Sequence, residues 1–508
     1  MSTSRSPSPQ DLRFPMPLDR AALGTVLVLL VLIGGLLLSG YRGKPQVRSM
    51  NWQDRQVGSQ DTALTLTFSR PMDTESVEKN LKITPPIPGR FSWAGRRMVY
   101  TLDRPAPYGQ TFDVSLDNAQ DRFRSGNFHE PIAPFKASFR TRDRFFAYIG
   151  VEGDETGRLV LVKLDKENPQ KTLLTPATLT VFDFKPYPLS DRILISATKR
   201  TDPNVLPPLI DQELYNVTTG IQVRSVEGEI PVNAGAGQIT PVLDNRDYQN
   251  LKFDLSANGK IVVVQRVNRK NPTLSSPWVV RINTDLPPEE LKLEKPTGNF
   301  LITPDSSAMI ATQGLGVSVL PLNRSEAGVE TADRPDFLPK FGNVLAMSQD
   351  GSSAAFVKFN TDYTRSLFVV TNQGQETEVF KTTGSILKAQ FSGNRQYLYA
   401  LLTDLITGET YKEQPYIAAI DLLAIRQGKP TKEALYPLLR LPNQREVQMS
   451  LAPDDGSILI DQRIPAVTSD GKPTETSQLW LVPLNDDPSK PNAPGDLGLT
   501  GSQPKWLP

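Results

Sequence analysis

The sequence predicts an all-β protein: one N-terminal transmembrane helix, a β-sandwich, then a β-propeller of about seven blades. Three observations carry this. Short runs of Val, Ile, Leu, Thr and aromatics are punctuated by turn residues, with 44 Pro and 34 Gly in 508 residues. A small hairpin motif recurs with a period mostly in the forties. A single long apolar run stands near the N-terminus. At this length the chain must divide into more than one core.

Residues 1–20 are rich in Ser and Pro and read as a disordered cytoplasmic tail. From Ala21 to Leu38 the run "AALGTVLVLLVLIGGLLL" holds 18 residues without a charge. A helix of that length spans roughly 27 Å, close to bilayer thickness once residues 39–41 are added. The expected element is a transmembrane helix over 21–41. A cleaved signal is the alternative, but its apolar core is usually shorter, and Leu38 is a poor residue at position −3 of a cut after Gly40. The segment "LLLSGYRG" has Tyr41 where a lipidated cysteine would stand. Tyr41, Arg42 and Lys44 are therefore expected at the membrane interface. Arg5, Arg13 and Arg20 before the span balance Arg42, Lys44 and Arg48 after it, so charge leaves the orientation open.

Residues 46–142 alternate at strand period. In "ALTLTFSRPMD", Leu64, Leu66 and Phe68 fall on one face and Thr65 and Thr67 on the other, until Pro71 breaks the ladder. "RRMVYTL", "TFDVSL" and the closing "FKASFRT" (135–141) continue the pattern, which suits a β-sandwich of about 95 residues. In "LTLTFSRPMDTESV" (64–77), Pro85-Pro86, Trp93, "VYTL" (99–102), "YGQTFDVSL" (108–116), Asp121 and "FKASFRT", the segment resembles the bacterial Ig-like domain first described in the SbsA surface-layer protein. The family's "D-x-x-G-N" is stretched here from Asp121 to Gly126-Asn127. The resemblance implies an envelope spacer or adhesion module, with Met72-Asp73 shaping a turn.

From Phe145 to Leu484 one unit recurs: strand, hairpin, strand, a third strand, and a polar return. The hairpins are "LSANGK" (255–260), "ITPDSS" (302–307), "MSQDGS" (347–352), "FSGNRQ" (391–396) and "LAPDDGS" (451–457). Aligned on Asn258, Asp305, Asp350, Asn394 and Asp454, the spacings are 47 (305−258), 45 (350−305), 44 (394−350) and 60 (454−394). Third strands such as "SPWVVRI", "RSLFVVT" and "SQLWLVPL" follow. Four strands per unit at this period mean propeller blades. Two earlier units, 145–175 and 180–225, bring the count to seven, with six and eight also compatible. The first unit lacks a partner strand, and the tail (485–508), otherwise flexible, offers Lys505-Trp506-Leu507 to close it. The hairpin acids serve turns that need positive φ. No D-x-D-x-D-G run points to calcium. In "LAPDDGSILI…SQLWLVPL" and "MSQDGSSAAFVKF…RSLFVVT" the region resembles TolB-like and WD-repeat-like propellers of bacterial envelopes.

The chemistry that is missing narrows the function. With no Cys there is no disulfide, thiolate site or cysteine nucleophile. The one histidine, His129, has no G-x-S-x-G, H-E-x-x-H or Walker motif to work with, and reads as a solvated loop residue. Basic and acidic residues balance, 56 against 55, which argues against nucleic acid. No cofactor and no metal site are expected. Lys136, Arg140, Arg142 and Arg144 fall at even positions, so an extended strand would show them together to anionic headgroups or an acidic wall polymer. The same row could be a solvated edge charged against aggregation. "QRVNRKNP" (265–272) reads as an exposed hairpin tip. Residues 227–248 and 401–415 read as long loops able to contact a partner. The expectation is a non-enzymatic envelope protein, single-pass in the bacterial inner membrane with its body extracytoplasmic. Its propeller would bind a protein or glycan in a scaffold or assembly role. A propeller glycoside hydrolase or lyase acting on wall polysaccharide is the alternative.

Overall fold

The computed structural model describes residues 17–39, 44–122, 131–165, 169–200, 211–222, 232–291, 293, 296–314, 316–322, 337–338, 340–406, 412–442, 444, 446–467 and 473–508. His129, Tyr41 and Arg42 lie outside them. One long helix, α1 (Pro17–Ser39), precedes the β body. Its side chains are described over 20–35, and nearly all are exposed. Over the described residues no helix is long and apolar enough to cross a membrane.

Two four-stranded sheets follow. One is ordered Val47–Met50, Ala63–Phe68, Arg97–Leu102, Gly89–Ala94; the other Gln56–Val57, Phe135–Thr141, Thr111–Leu116, Leu81–Thr84. Alternation makes them one unit. Leu64, Leu66, Phe68, Met98 and Tyr100 of the first sheet share a core with Phe112, Val114, Leu116 and Phe139 of the second. Asp73 begins the short helix α2 (Thr74–Asn80), its carboxylate accepting from the Ser76 N–H at 2.8 Å.

The described residues that follow form seven four-stranded units around an axis. Their first strands, in order of blades 2 to 7, are Leu179–Pro186, Tyr248–Leu255, Thr297–Ile302, Asn343–Met347, Ile386–Phe391 and Met449–Leu451. Blade 1 takes its innermost strand from the far terminus. The strand Gly495–Trp506 pairs over 495–500 with the third strand of blade 7, then over 501–506 with Phe145–Gly150. One strand is thus the rim of the last blade and the hub of the first.

The second strands explain the stacking. "RILISATK" and "IVVVQRVN" are apolar at successive positions because both faces of a blade are covered. Ile193 and Ile195 face blade 1, whereas Leu194 faces blade 3. Val262 and Val264 face blade 2, whereas Val263 faces blade 4. Each junction between neighbouring blades holds its own buried cluster, and the last, Phe146, Tyr148, Leu459, Leu479 and Trp506, joins blade 7 to blade 1. Here a Cβ on Gly501 would stand 2.2 Å from the Tyr148 ring, so only glycine lets the closing strand lie against it.

The hairpins behave as one motif. In blade 5, Ser348 Oγ donates to Asp350 Oδ1 at 2.7 Å and accepts from the Ser353 N–H at 2.9 Å. Blades 3, 4 and 6 repeat this with Ser256, Thr303 and Ser392. The residue after the carboxylate or amide carries positive φ: Gly259, Ser306, Gly351, Arg395 and Asp455.

Blade 7 departs from the motif. Ala452 replaces the hydroxyl residue, and Asp454 turns to the first β domain. Asp454 Oδ2 accepts from the Tyr108 N–H at 2.9 Å and from Arg144 Nη2 at 3.2 Å. Arg142 Nη1 donates to the carbonyls of Pro188 and Pro508, each at 3.1 Å. The two-sheet domain therefore rests on the seam where the ring closes.

Two expected loops are strands. Residues 401–415 belong largely to a long hairpin, Tyr397–Ile406 with Lys412–Asp421, because Leu401, Leu402 and Tyr416 have a neighbouring blade to cover them. Ile239–Leu243, within 227–248, is the outer strand of blade 2. Of "QRVNRKNP", residues 269–272 are the exposed hairpin tip, whereas "QRVN" ends the strand Ile261–Asn268. Arg266 is buried between Tyr248 and Trp278 and donates to Asn250 Oδ1 at 3.0 Å.

Two outcomes follow. Trp506→Ala removes a side chain only 7 % exposed, packed edge-on against Phe146, and should cost about 3–5 kcal/mol; a loss under about 1 kcal/mol by urea unfolding would show that the seam is not held there. Asp454→Ala should cost about 1.5–3 kcal/mol and split unfolding into two transitions, one per domain. A single unshifted transition would mean the junction is energetically idle.

Candidate functional site in the central channel

The inner strands share a local irregularity. Their pairing shifts register between Val181 and Asp183, Asn250 and Lys252, Val344 and Ala346, Ile386 and Lys388, and Ser502 and Lys505. Each shift is a bulge, which re-aims the residues that follow it. Polar side chains on these strands, with Asp461 from the second strand of blade 7, form links between blades about the axis.

The links run from blade to blade. Lys505 Nζ of blade 1 donates to Asp183 Oδ1 at 2.5 Å in blade 2. Lys185 Nζ of blade 2 donates to Asp254 Oδ1 at 2.7 Å in blade 3. Asp254 Oδ2 accepts from the Ile302 N–H of blade 4 at 2.8 Å, and Lys252 Nζ donates to Asn299 Oδ1 at 2.8 Å. Asn299 Nδ2 reaches Asn343 Oδ1 of blade 5 at 3.3 Å. Gln390 Oε1 of blade 6 accepts from the Leu451 N–H of blade 7 at 2.8 Å. Asp461 of blade 7 accepts from the Gln448 N–H at 2.6 Å and from the Gln503 N–H of blade 1 at 2.8 Å.

Among the described residues, Lys388 has no hydrogen-bond or ion-pair partner, and the inner strands of blades 5 and 6 meet through apolar side chains, Leu345 and Ala346 against Ile386 and Ala389. Burial pushes the Lys388 ammonium down to about 8, and the Lys505 and Lys185 charges add to it; Asp461 and Asp183 oppose them. Burial also lowers Lys252 and raises Asp461, the latter against two backbone N–H donors. Asp183, though desolvation works against it, is held below the usual carboxylate range by Lys505. Burial works against Lys185 too, but Asp254 outweighs it and raises the ammonium.

The arrangement can bind and orient a polar group. Among the described residues no group of three or more His, Cys, Asp or Glu is placed to hold a metal ion. Near the seam a cavity of ≈ 230 Å³ opens between Gln56, Arg142 and Asp143 on one side and Ser190, Gln222 and Pro508 on the other.

The four cations singled out in the sequence do not share one surface. Lys136 and Arg140 are exposed on Phe135–Thr141, and Arg140 pairs with Asp143 at 2.6 Å. Arg142 and Arg144 lie beyond that strand and are engaged at the domain junction. Lys44 is exposed. The channel residues had a signal that sequence reading passed over. "FDFK" (182–185), "LKFD" (251–254) and "LKAQ" (387–390) each place an apolar residue, a charge, a buried residue and a second polar group in the first strand of a blade.

No family model matches the chain, and no curated protein matches it in sequence. Solved structures do resemble it. TolB from Acinetobacter baumannii is 9% identical with a TM-score of 0.39, covering 84% of this chain and 83% of that one. An oligogalacturonate lyase in complex with manganese is 12% identical with a TM-score of 0.44, covering 66% and 84%. An oligogalacturonate lyase from Vibrio parahaemolyticus is 10% identical with a TM-score of 0.42, covering 68% and 91%. At these identities the likeness is one of fold.

Lys388→Met should stabilise the protein at pH 7 by about 2–3 kcal/mol, because the methionine carries no buried charge. The folded ammonium titrates near 8 and the unfolded one near 10.4. Between these values the unfolded wild type binds more protons, so its stability rises with pH. The advantage of the variant should shrink across that window. Urea unfolding at pH 7 and pH 10 reads it, and a gap that is constant or that widens would exclude an unpaired buried ammonium.

Proposed function

We propose that this protein is a membrane-anchored display scaffold of the bacterial cell envelope, with a propeller that binds a partner and does not break bonds. The carrying observation is α1. Its residues 26–33 are consecutive, apolar and about half exposed or more, from Ile33 at 49 % to Val31 at 67 %. Eight residues exceed two helical turns, so every face of the helix is bare. Fully burying one such side chain is worth about 1.5–3 kcal/mol, and the β body covers none of them. The anchoring is read from this uncovered apolar run, since over the described residues no helix is by itself long and apolar enough to cross a membrane.

The binding reading draws support from the channel. Asp183, Asp254 and Asp461 are each occupied by partners that fix blade to blade, which leaves little freedom for an acid and a base to exchange protons. A rigid ring with polar groups on its axis and hairpins at its rim suits recognition. The two-sheet domain, docked on the seam, stands between the anchor and the propeller.

In an alkaline carbonate wash of membranes, the full chain should stay in the pellet, and a chain lacking residues 1–43 should be released. External protease on spheroplasts should digest the body. Release of the full chain by carbonate would overturn the anchor, and a protected body would overturn display outside the cytoplasm.

A further inference from the structure

The loop between Arg97–Leu102 and Thr111–Leu116 seats the two-sheet domain on blades 6 and 7. Its Pro105 is buried. A Cβ on Gly393, in the blade 6 hairpin, would stand 2.8 Å from Pro105 Cγ and 3.3 Å from Asp455 Oδ2. The proline ring and the Asp455 carboxylate therefore meet over one glycine. The Gly393 N–H donates to Asp455 Oδ2 at 2.8 Å, the one hydrogen bond of that carboxylate among the described residues.

The charges around Asp455 do not balance. Its chain neighbour Asp454 takes Arg144 and the Tyr108 N–H. Arg104 approaches from the two-sheet domain but is paired with Asp486 of blade 7. Arg142 is spent on two carbonyls. From blade 6 comes Tyr399, a phenol raised by burial and by Asp455, and so neutral. Three carboxylates thus share two guanidinium groups. The surplus negative charge (3 − 2) falls on Asp455, which has no ion pair among the described residues.

We propose that Asp455 is a proton-operated latch between the two domains: protonated, it lets the loop around Pro105 seat on blades 6 and 7, and ionised, it loosens that seat. A carboxyl group is covered by an apolar ring at far less cost when it is neutral. In the seated form Asp455 is pushed up to about 7, first by burial and then by Asp454, against the Gly393 N–H and Arg104. Lifting the loop returns it to water, where such a group titrates near 3.9. Between these values the seated form binds more protons, so seating weakens as pH rises and levels off above about 7. When the domain lifts, Arg142 also leaves the Pro188 and Pro508 carbonyls, so the latch governs the clamp on the ring seam. It does not depend on membrane anchoring.

The test is hydrogen exchange at the Tyr108 amide of the full chain in detergent, from pH 5 to pH 7.5, divided by the intrinsic rate at each pH. That N–H is bonded across the junction, to Asp454, so its exchange reads the unseated population even where it is rare. In wild type, protection should fall roughly tenfold or more between pH 5 and pH 7. Asp455→Asn should keep the acid value throughout, because its amide is neutral, can accept from Gly393 and tolerates the positive φ. Asp455→Ser is a second neutral variant, with the residue that blade 4 carries at the same turn position, Ser306. His129→Gln should respond as wild type does, which separates the latch from the one histidine of the chain. Protection that stays constant with pH in wild type would overturn the proposal. So would the wild-type fall persisting in both Asp455 variants, or its disappearance in His129→Gln.

Discussion

Closure of the ring is the constraint on which the structure depends. A blade is apolar on both faces, so each needs two neighbours, and an open ring would leave two blades half-covered. The chain solves this with one strand, Gly495–Trp506, that serves blade 7 and then blade 1. No covalent bond locks the seam, since there is no cysteine. Its strength comes from Trp506 and Tyr148 in the last junction and from backbone pairing. The placement of the two-sheet domain then makes sense. Arg142 spans from the Pro508 carbonyl to the Pro188 carbonyl in blade 2, and Arg144 meets Asp454 in blade 7. The domain grips both sides of the one place where the ring is shut without continuous chain.

Closure also decides the chemistry of the axis. Seven inner strands converge, and each leaves one hydrogen-bonding edge without a strand partner. Bulges break up that edge and turn the residues that follow toward neighbouring blades. A buried ion pair gives little net stability once desolvation is counted. Lys505 with Asp183 and Lys185 with Asp254 are better understood as register devices, because each links two blades whose apolar cores would tolerate sliding. The exception is informative for the same reason: Lys388 bears the desolvation cost without the link.

The sequence makes the hairpins and the repeat legible because their causes are local. A hydroxyl, a carboxylate or amide two residues on, and positive φ next to it all lie within six residues. The burial of Leu401 and Tyr416 is not local. In "LLTDLITGETYKEQP" the polar residues suggest a loop, yet about half of them lie in two strands that pair with each other and whose apolar residues are covered by the neighbouring blades. Arg266 is hidden in the same way, since the aromatic rings that cover it belong to two different strands. The channel site was visible only as a weak repeat, "FDFK", "LKFD" and "LKAQ". Its meaning depends on strands far apart in sequence meeting at one axis.

Blade 7 shows how such a repeat acquires a second role. Where Ser348 satisfies Asp350 within its own turn, Ala452 has no hydroxyl, and Asp454 is left with the Gly456 N–H on one oxygen. Its other oxygen takes Tyr108 and Arg144 from the domain above. The adjacent Asp455, carrying the turn's positive φ, is pushed up to about 7 by burial and by Asp454, against the Gly393 N–H and Arg104. Two neighbouring carboxylates compete for limited cationic support, and Asp454 holds the direct contact with Arg144. Loss of one hydroxyl from a repeated turn is thus enough to convert a structural carboxylate into the anchor point of a domain interface. The conversion needed no new fold, because the turn geometry is still held by Asp455 and Gly456.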